Sequence, residues 1–286
     1  MTRDPGPEDR AYCADQVRRF DNDRYLMTLF AGGAARDDLL ALYAFNLEVA
    51  KVREIVREPM MGRIRLQWWR DCIAEIYAGG ERRHQVAQPL AAAIRRCHLP
   101  RVYFDRLLEA READMDDSPP TDLRALTSYA EATSAPLGLL ALQVLHPAAN
   151  RDAQSAIQQV WTVWSLVGLL RAVPFHARSR RLYLPQSLLA GQGVAIGDLF
   201  ELRQPPALAT VVCAVAAEAR RHLQEARALA RALPRRTLPA AMPATLAARY
   251  LRRLEAAGHD VSSAGVQQAP PARIWWLLLA YLRGRA

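Results

Sequence analysis

Apolar side chains recur at helical spacing along most of the chain. Between residues 37 and 57 they fall at Leu39, Leu42, Tyr43, Leu47, Val52, Ile55 and Val56, the stepping by three and four that lines one face of a helix. Pro59 fits the first turn of the next helix. That helix carries Ile64, Trp68, Ile73, Ile76 and Tyr77 and stops at Gly79-Gly80. The same pattern predicts helices over residues 86–97, 101–113, 121–145, 151–173, 206–232, 239–257 and 270–283. Thr121-Asp122 after Pro119-Pro120 makes a good start for the third of these. Alternating strand patterns and internal repeats are missing. The expectation is an all-α chain of about ten helices, too many for a simple four-helix bundle, folded as one domain over 1–286. Residues 187–204, with Gly191, Gly193 and Gly197, read as a loop rather than a boundary, and the opening MTRDPGPED as disordered.

Composition changes this picture little, but charge adds to it. Hydrophobic residues are 51% and charged residues 23% of the chain, ordinary for a folded soluble protein. The net charge of +9 is lopsided: residues 1–122 carry 19 basic and 21 acidic side chains, residues 123–286 carry 19 and 8. Lys51 is the only lysine. An arginine-rich second half suits anionic lipid, a phosphorylated small molecule or an acidic protein. No nucleic-acid motif accompanies it, so no nucleic-acid partner is expected. Cys13, Cys72, Cys97 and Cys213 lie far apart and the six histidines form no HExxH, which argues against a zinc enzyme and for reduced, mostly buried thiols. The polar N-terminus does not read as a signal peptide. The apolar run IWWLLLAYL near the C-terminus has nine residues, against about 20 for a membrane span. It reads as a docked terminal helix or, with Arg273, Arg283 and Arg285 flanking Trp275 and Trp276, as an interfacial one, giving peripheral membrane contact from Arg273 to Arg285.

Four stretches carry chemistry. Residues 23–30 read DRYLMTLF, residues 42–54 LYAFNLEVAKVRE, residues 66–70 LQWWR, and residues 169–185 LLRAVPFHARSRRLYLP. In order and separation they resemble the squalene/phytoene synthase family over roughly residues 10–285. That resemblance implies the isoprenoid synthase fold, with helices around a central cavity. It also implies two aspartate-rich motifs on facing helices, where carboxylates one turn apart hold Mg²⁺ against a prenyl diphosphate. Aligned on LYAF, the first aspartate positions fall on Ala50 and Lys51, with Glu54 closing the motif. Aligned on LLR and YLP, the second pair falls on Ala172 and His176. Alanine offers no ligand atom, an ammonium repels the cations, and an imidazole suits zinc or copper better than magnesium. Pro174 between the last two should bend or end its helix. The acids of READMDD (Glu112, Asp114, Asp116, Asp117) read as a solvated loop edge.

The remaining matched positions, Tyr25, Tyr43, Trp68, Trp69, Arg70, Arg171 and Tyr183, would line or support the cavity. Arg70 and Arg171 are candidates for binding an anion, with structural partners such as Glu54 or Asp71 as the alternative. Arg178, Arg180 and Arg181 read as an anion-facing loop or a solvated turn. Residues 46–48, 52–54, 58–60 and 65–70 (NLE, VRE, EPM, RLQWWR) resemble a branch that lacks the aspartate motifs and whose eukaryotic members are mitochondrial assembly factors for respiratory complex I. The resemblance therefore implies a non-catalytic assembly factor or an apolar, isoprenoid-binding protein. It implies no metal, no cofactor and respiratory-complex subunits as partners. The place of work would be the bacterial cytoplasm or the inner membrane surface. The alternative is an active head-to-head prenyltransferase acting on farnesyl or geranylgeranyl diphosphate with an altered Mg²⁺ site.

Overall fold

The computed structural model describes residues 6–56, 58–230 and 233–285. Among them the apolar stripes become seventeen α-helices and no strand, and ten of the helices are ten residues or longer. The centre is a pair, α8 (Leu123–Leu145) and α9 (Arg151–Arg171), joined by a link short enough to make them antiparallel neighbours. Each begins on a side-chain cap: Asp122 accepts from the Ala125 N–H at 2.8 Å and Asn150 from the Ala153 N–H at 2.9 Å. Ahead of this pair the chain forms α1 (Pro7–Phe20), α2 (Asn22–Thr28), α3 (Gly33–Ala50), α4 (Val52–Ile55), α5 (Pro59–Tyr77), α6 (Ala87–Cys97) and α7 (Arg101–Ala110). The chain continues after α9 through α10 (Val173–Arg178), α11 (Gln186–Gly191), α12 (Ile196–Phe200), α13 (Leu208–Leu229), α14 (Leu238–Ala241), α15 (Pro243–Ala256), α16 (Ala264–Gln267) and α17 (Arg273–Arg283). Helix α9 packs against α8, α13 and α15, while α8 also meets α3 and α7.

Two expectations change here. The disorder assigned to MTRDPGPED lies outside the described residues for 1–5, but from Pro7 the chain is already helical, with Glu8 and Asp9 in the first turn beside the positive helix end. The segment 187–204 holds two short helices, α11 and α12, not a plain loop. Of the cysteines, Cys13 and Cys72 are buried, Cys97 is half-buried and Cys213 is exposed.

Helices α8 and α9 come close together at Gly138 of α8. A Cβ there would sit 2.4 Å from the Trp161 ring, which α9 places fully buried, with its indole N–H donating to the Ala240 carbonyl at 2.9 Å. Overpacking outweighs the better helix propensity of alanine, so Gly138→Ala is expected to lower unfolding free energy by about 1–3 kcal/mol. Urea denaturation measures it; an unchanged midpoint would show that α8 and α9 can part without loss.

The ends of the chain are tied together. Asp23 of α2, a buried carboxylate, accepts from the Tyr250 hydroxyl of α15 at 2.6 Å and pairs with Arg273 of α17. Rings of Phe30 and Tyr281 meet at 5.3 Å. The last helix is therefore docked through Leu277 and Ala280, its buried residues.

Candidate functional site

Between α3–α4 on one side and α8–α10 on the other lies a cavity of about 580 Å³, within the range that accepts a small ligand. Helix α3 ends at Ala50. Lys51 keeps near-helical backbone, and the Glu54 N–H bonds to the Lys51 carbonyl at 2.9 Å, so the turn continues into α4. Ala50, Lys51 and Glu54 accordingly share the lining. Opposite, α9 gives way to α10 at Ala172, two residues before Pro174, which sits at the start of α10 where its missing N–H is harmless. The His176 N–H bonds to the Ala172 carbonyl at 2.9 Å, so these two stay one turn apart across the break and both line the cavity.

The walls are mixed. Phe20, Leu47, Trp164, Leu169 and Phe175 supply apolar surface, and Gly168 leaves room. The Lys51 ammonium lies 3.1 Å from the centre of the Phe20 ring, a cation–π contact. Burial holds its pKa below the ordinary lysine value, against the pull of Glu54, Glu48 and Asp21. Burial also raises Glu54, opposed by Lys51, Arg181 and Arg111. His176 is lowered to about 4, by burial first and by Arg181 next, so its imidazole is neutral near pH 7. Asp21 is engaged as the cap of α2, accepting from the Arg24 N–H at 3.2 Å and pairing with the Arg24 guanidinium, which faces the Trp161 ring at 5.1 Å.

A polar network closes the floor. Asp114, 4% exposed, lies in a 3₁₀ turn and accepts from Arg111 at 3.1 Å, from the Tyr183 hydroxyl at 2.9 Å and from the Tyr129 hydroxyl. Its carbonyl accepts from Arg181 at 2.8 Å, and the same guanidinium nitrogen donates to the Tyr183 oxygen at 2.7 Å. Arg181 is aimed inward by the end of α10. Arg180 takes a left-handed φ of 53°, and the Arg180 and Arg181 N–H groups return to Ala177 and His176. The solvated edge expected of READMDD is therefore corrected at Asp114, which is buried. Asp116 and Asp117 are exposed, and Asp117 pairs with Arg53 at 2.8 Å. Arg181 is likewise not a solvated turn: it is buried and its guanidinium donates to two protein oxygens.

The other matched residues lie away from the lining. Tyr25 packs half-buried on the core, Tyr43 is buried beneath Trp161 at 6.0 Å, and Trp69 is buried edge-on to Phe45 at 5.0 Å. Trp68 and Trp69 border a separate cavity of about 220 Å³ with Glu48, Arg65 and His84. Arg70 pairs with Glu112 at 2.7 Å, not with Glu54 or Asp71. Arg171 lies 3.9 Å over Tyr250 and 4.0 Å from Asp23. Tyr183 belongs to the floor network. Sequence reading passed over Asp21, Arg24, Arg111 and Tyr129; only Arg24, inside DRYLMTLF, and Arg111, at the head of READMDD, lay in stretches already singled out.

The donor set does not match a magnesium pair. That ion takes several hard oxygens in octahedral array, and here Ala50 and Ala172 present methyl groups, Lys51 an ammonium and His176 a nitrogen. The acids of the described lining are Glu54 and Asp21, and Asp21 is already paired with Arg24. Among the described residues no group of three His, Cys, Asp or Glu side chains is placed to hold a metal ion.

The family model for squalene/phytoene synthase matches residues 17–275. The chain belongs to the squalene/phytoene synthase family. Within it, the chain is 30% identical over 257 residues to the NADH dehydrogenase (ubiquinone) complex I assembly factor 6 of Bos taurus, covering 90% of this chain and 77% of that one. It is 26% identical over 211 residues to the presqualene diphosphate synthase of Rhodopseudomonas palustris, covering 72% and 73%. A crystal structure of a dehydrosqualene synthase superposes with a TM-score of 0.82 at 18% identity, covering 96% of each chain. The family's isoprenoid synthase fold is thus the fold of this chain.

Proposed function

We propose that this family member is non-catalytic and serves as an assembly factor for respiratory complex I, keeping the cavity to hold an apolar or isoprenoid ligand. The observation that carries the reading is the lining itself. Where the family resemblance calls for facing carboxylates, the cavity has Ala50, Lys51, Ala172 and a neutral His176. Mammalian relatives named as complex I assembly factors support the role. The reading needs no metal or cofactor. Its partners are subunits of the respiratory complex, and its place in a bacterial cell is the cytoplasm or the inner membrane surface. No described helix is long and apolar enough to cross a membrane.

The test has two arms. Purified protein with Mg²⁺ or Mn²⁺ and farnesyl or geranylgeranyl diphosphate is expected to release no pyrophosphate above background. Turnover abolished by Glu54→Gln would replace the reading with an active prenyltransferase. In cells lacking the gene, native gels are expected to show loss of assembled NADH dehydrogenase complex. Normal assembly would remove the assembly role.

A further inference from the structure

The C-terminal helix presents two unlike surfaces side by side. Trp275, Leu279 and Leu282 are 68%, 40% and 63% exposed. Their spacing of four and three puts them on one stripe of α17, opposite its docked face. Next to that stripe, α13, α15 and α17 enclose a pocket of about 510 Å³. Five arginines line it: Arg227, Arg249, Arg252, Arg283 and Arg285. None of its described lining residues is acidic. Among the described residues none of the five forms an ion pair, whereas Arg220 nearby pairs with Glu255. Partial burial, then Arg252 and Arg220, push the Arg227 pKa below the ordinary arginine value. So many guanidiniums together, with no acidic group among the described lining residues, leave an electrostatic deficit that an anion would fill.

Two details show which anion. The Thr245 hydroxyl, buried in the pocket wall, finds no hydrogen-bond partner among the described residues, and a phosphate oxygen would satisfy it. Leu279 belongs both to the pocket and to the exposed stripe, and Trp276 in the pocket lies 5.1 Å from the Arg249 guanidinium. The site therefore joins an anion pocket to an apolar ridge, which suits a ligand with a phosphate head and hydrocarbon next to it.

We infer that this pocket and the Trp275–Leu279–Leu282 ridge are a docking surface for anionic phospholipid, with the headgroup phosphate among the five arginines and α17 lying in the interface. The inference does not rest on the central cavity being inactive, because the two sites share no lining residue.

Vesicle sedimentation of the full chain tests it. Binding is expected to vesicles of phosphatidylcholine with phosphatidylglycerol, weakly to phosphatidylcholine alone, and to fall as salt rises. Arg252→Gln with Arg283→Gln should weaken binding roughly 30-fold, on the usual contribution of a basic residue near an anionic surface. Trp275→Ser with Leu282→Ser, both at exposed positions, should abolish it while circular dichroism melts stay at the wild-type temperature. Equal binding to neutral vesicles, or full binding by either double variant, overturns the inference. So does absence of vesicle binding when inorganic diphosphate binds by calorimetry, since the pocket would then serve a soluble anion. Self-association that Trp275→Ser removes, without vesicle binding, would assign the ridge to a second copy of the chain and equally overturn it.

Discussion

Replacing Asp114 with alanine is expected to cost about 3–5 kcal/mol of stability, the usual result of leaving buried charge uncompensated. Its carboxylate gathers Arg111, Tyr129 and Tyr183, while its backbone carbonyl takes Arg181, itself 8% exposed. Without it, two guanidiniums and two phenols face one another beneath the cavity. Asp114→Asn should lose less, because an amide oxygen can still accept from the tyrosines but brings no charge to the arginines. Urea denaturation gives both numbers. Two variants within about 0.5 kcal/mol of the wild type would mean that solvent reaches this floor and screens it.

The second large effect concerns acid. His176 ionises near pH 4 in the folded protein against 6.5 as its ordinary value. Between those values the unfolded chain binds a proton that the folded one refuses. Stability from the neutral imidazole is complete above pH 6.5 and is lost as pH falls toward 4, by about 3 kcal/mol in all. Burial is the largest cause, with the Tyr183 ring packed against the imidazole at 4.8 Å; Arg181 and Arg111 add to it by repelling the proton and Asp114 opposes it. Other groups titrate in the same range, so the informative quantity is the difference between wild type and His176→Gln. That difference should shrink with a slope confined to pH 4–6.5. Parallel stability curves for the two proteins across the window would place the imidazole in contact with water.

Much of the fold was legible because helix patterning is local. The stripes at 37–57 and 59–77 became α3, α4 and α5, and the cap at Asp122 opened α8. What escaped was short or polar. Helix α1 buries only Cys13 and Val17, and α11 and α12 are too brief to show a stripe. At the site, residues one helical turn apart share a face by geometry alone, so Ala50, Lys51 and Glu54, and separately Ala172 and His176, could be placed together from their spacing. Their facing one another across one cavity came with the family resemblance and is what the packing of α3–α4 against α9–α10 shows.

By itself, then, the amino-acid order determined most of the long helices, the break near Pro174, the family motifs and the kinds of side chain set at the motif positions. Only the tertiary structure decided which charges are buried. Among the four acids of READMDD nothing local separates Asp114 from its neighbours; it turns inward because Tyr129 and Tyr183, 15 and 69 residues away, offer it hydroxyls. The arginine pocket is likewise invisible along the chain, since its walls come from residues 227 to 285 on three helices. Burial and charge compensation depend on what distant segments bring into contact, and a linear pattern records spacing along one helix but not the neighbours across from it.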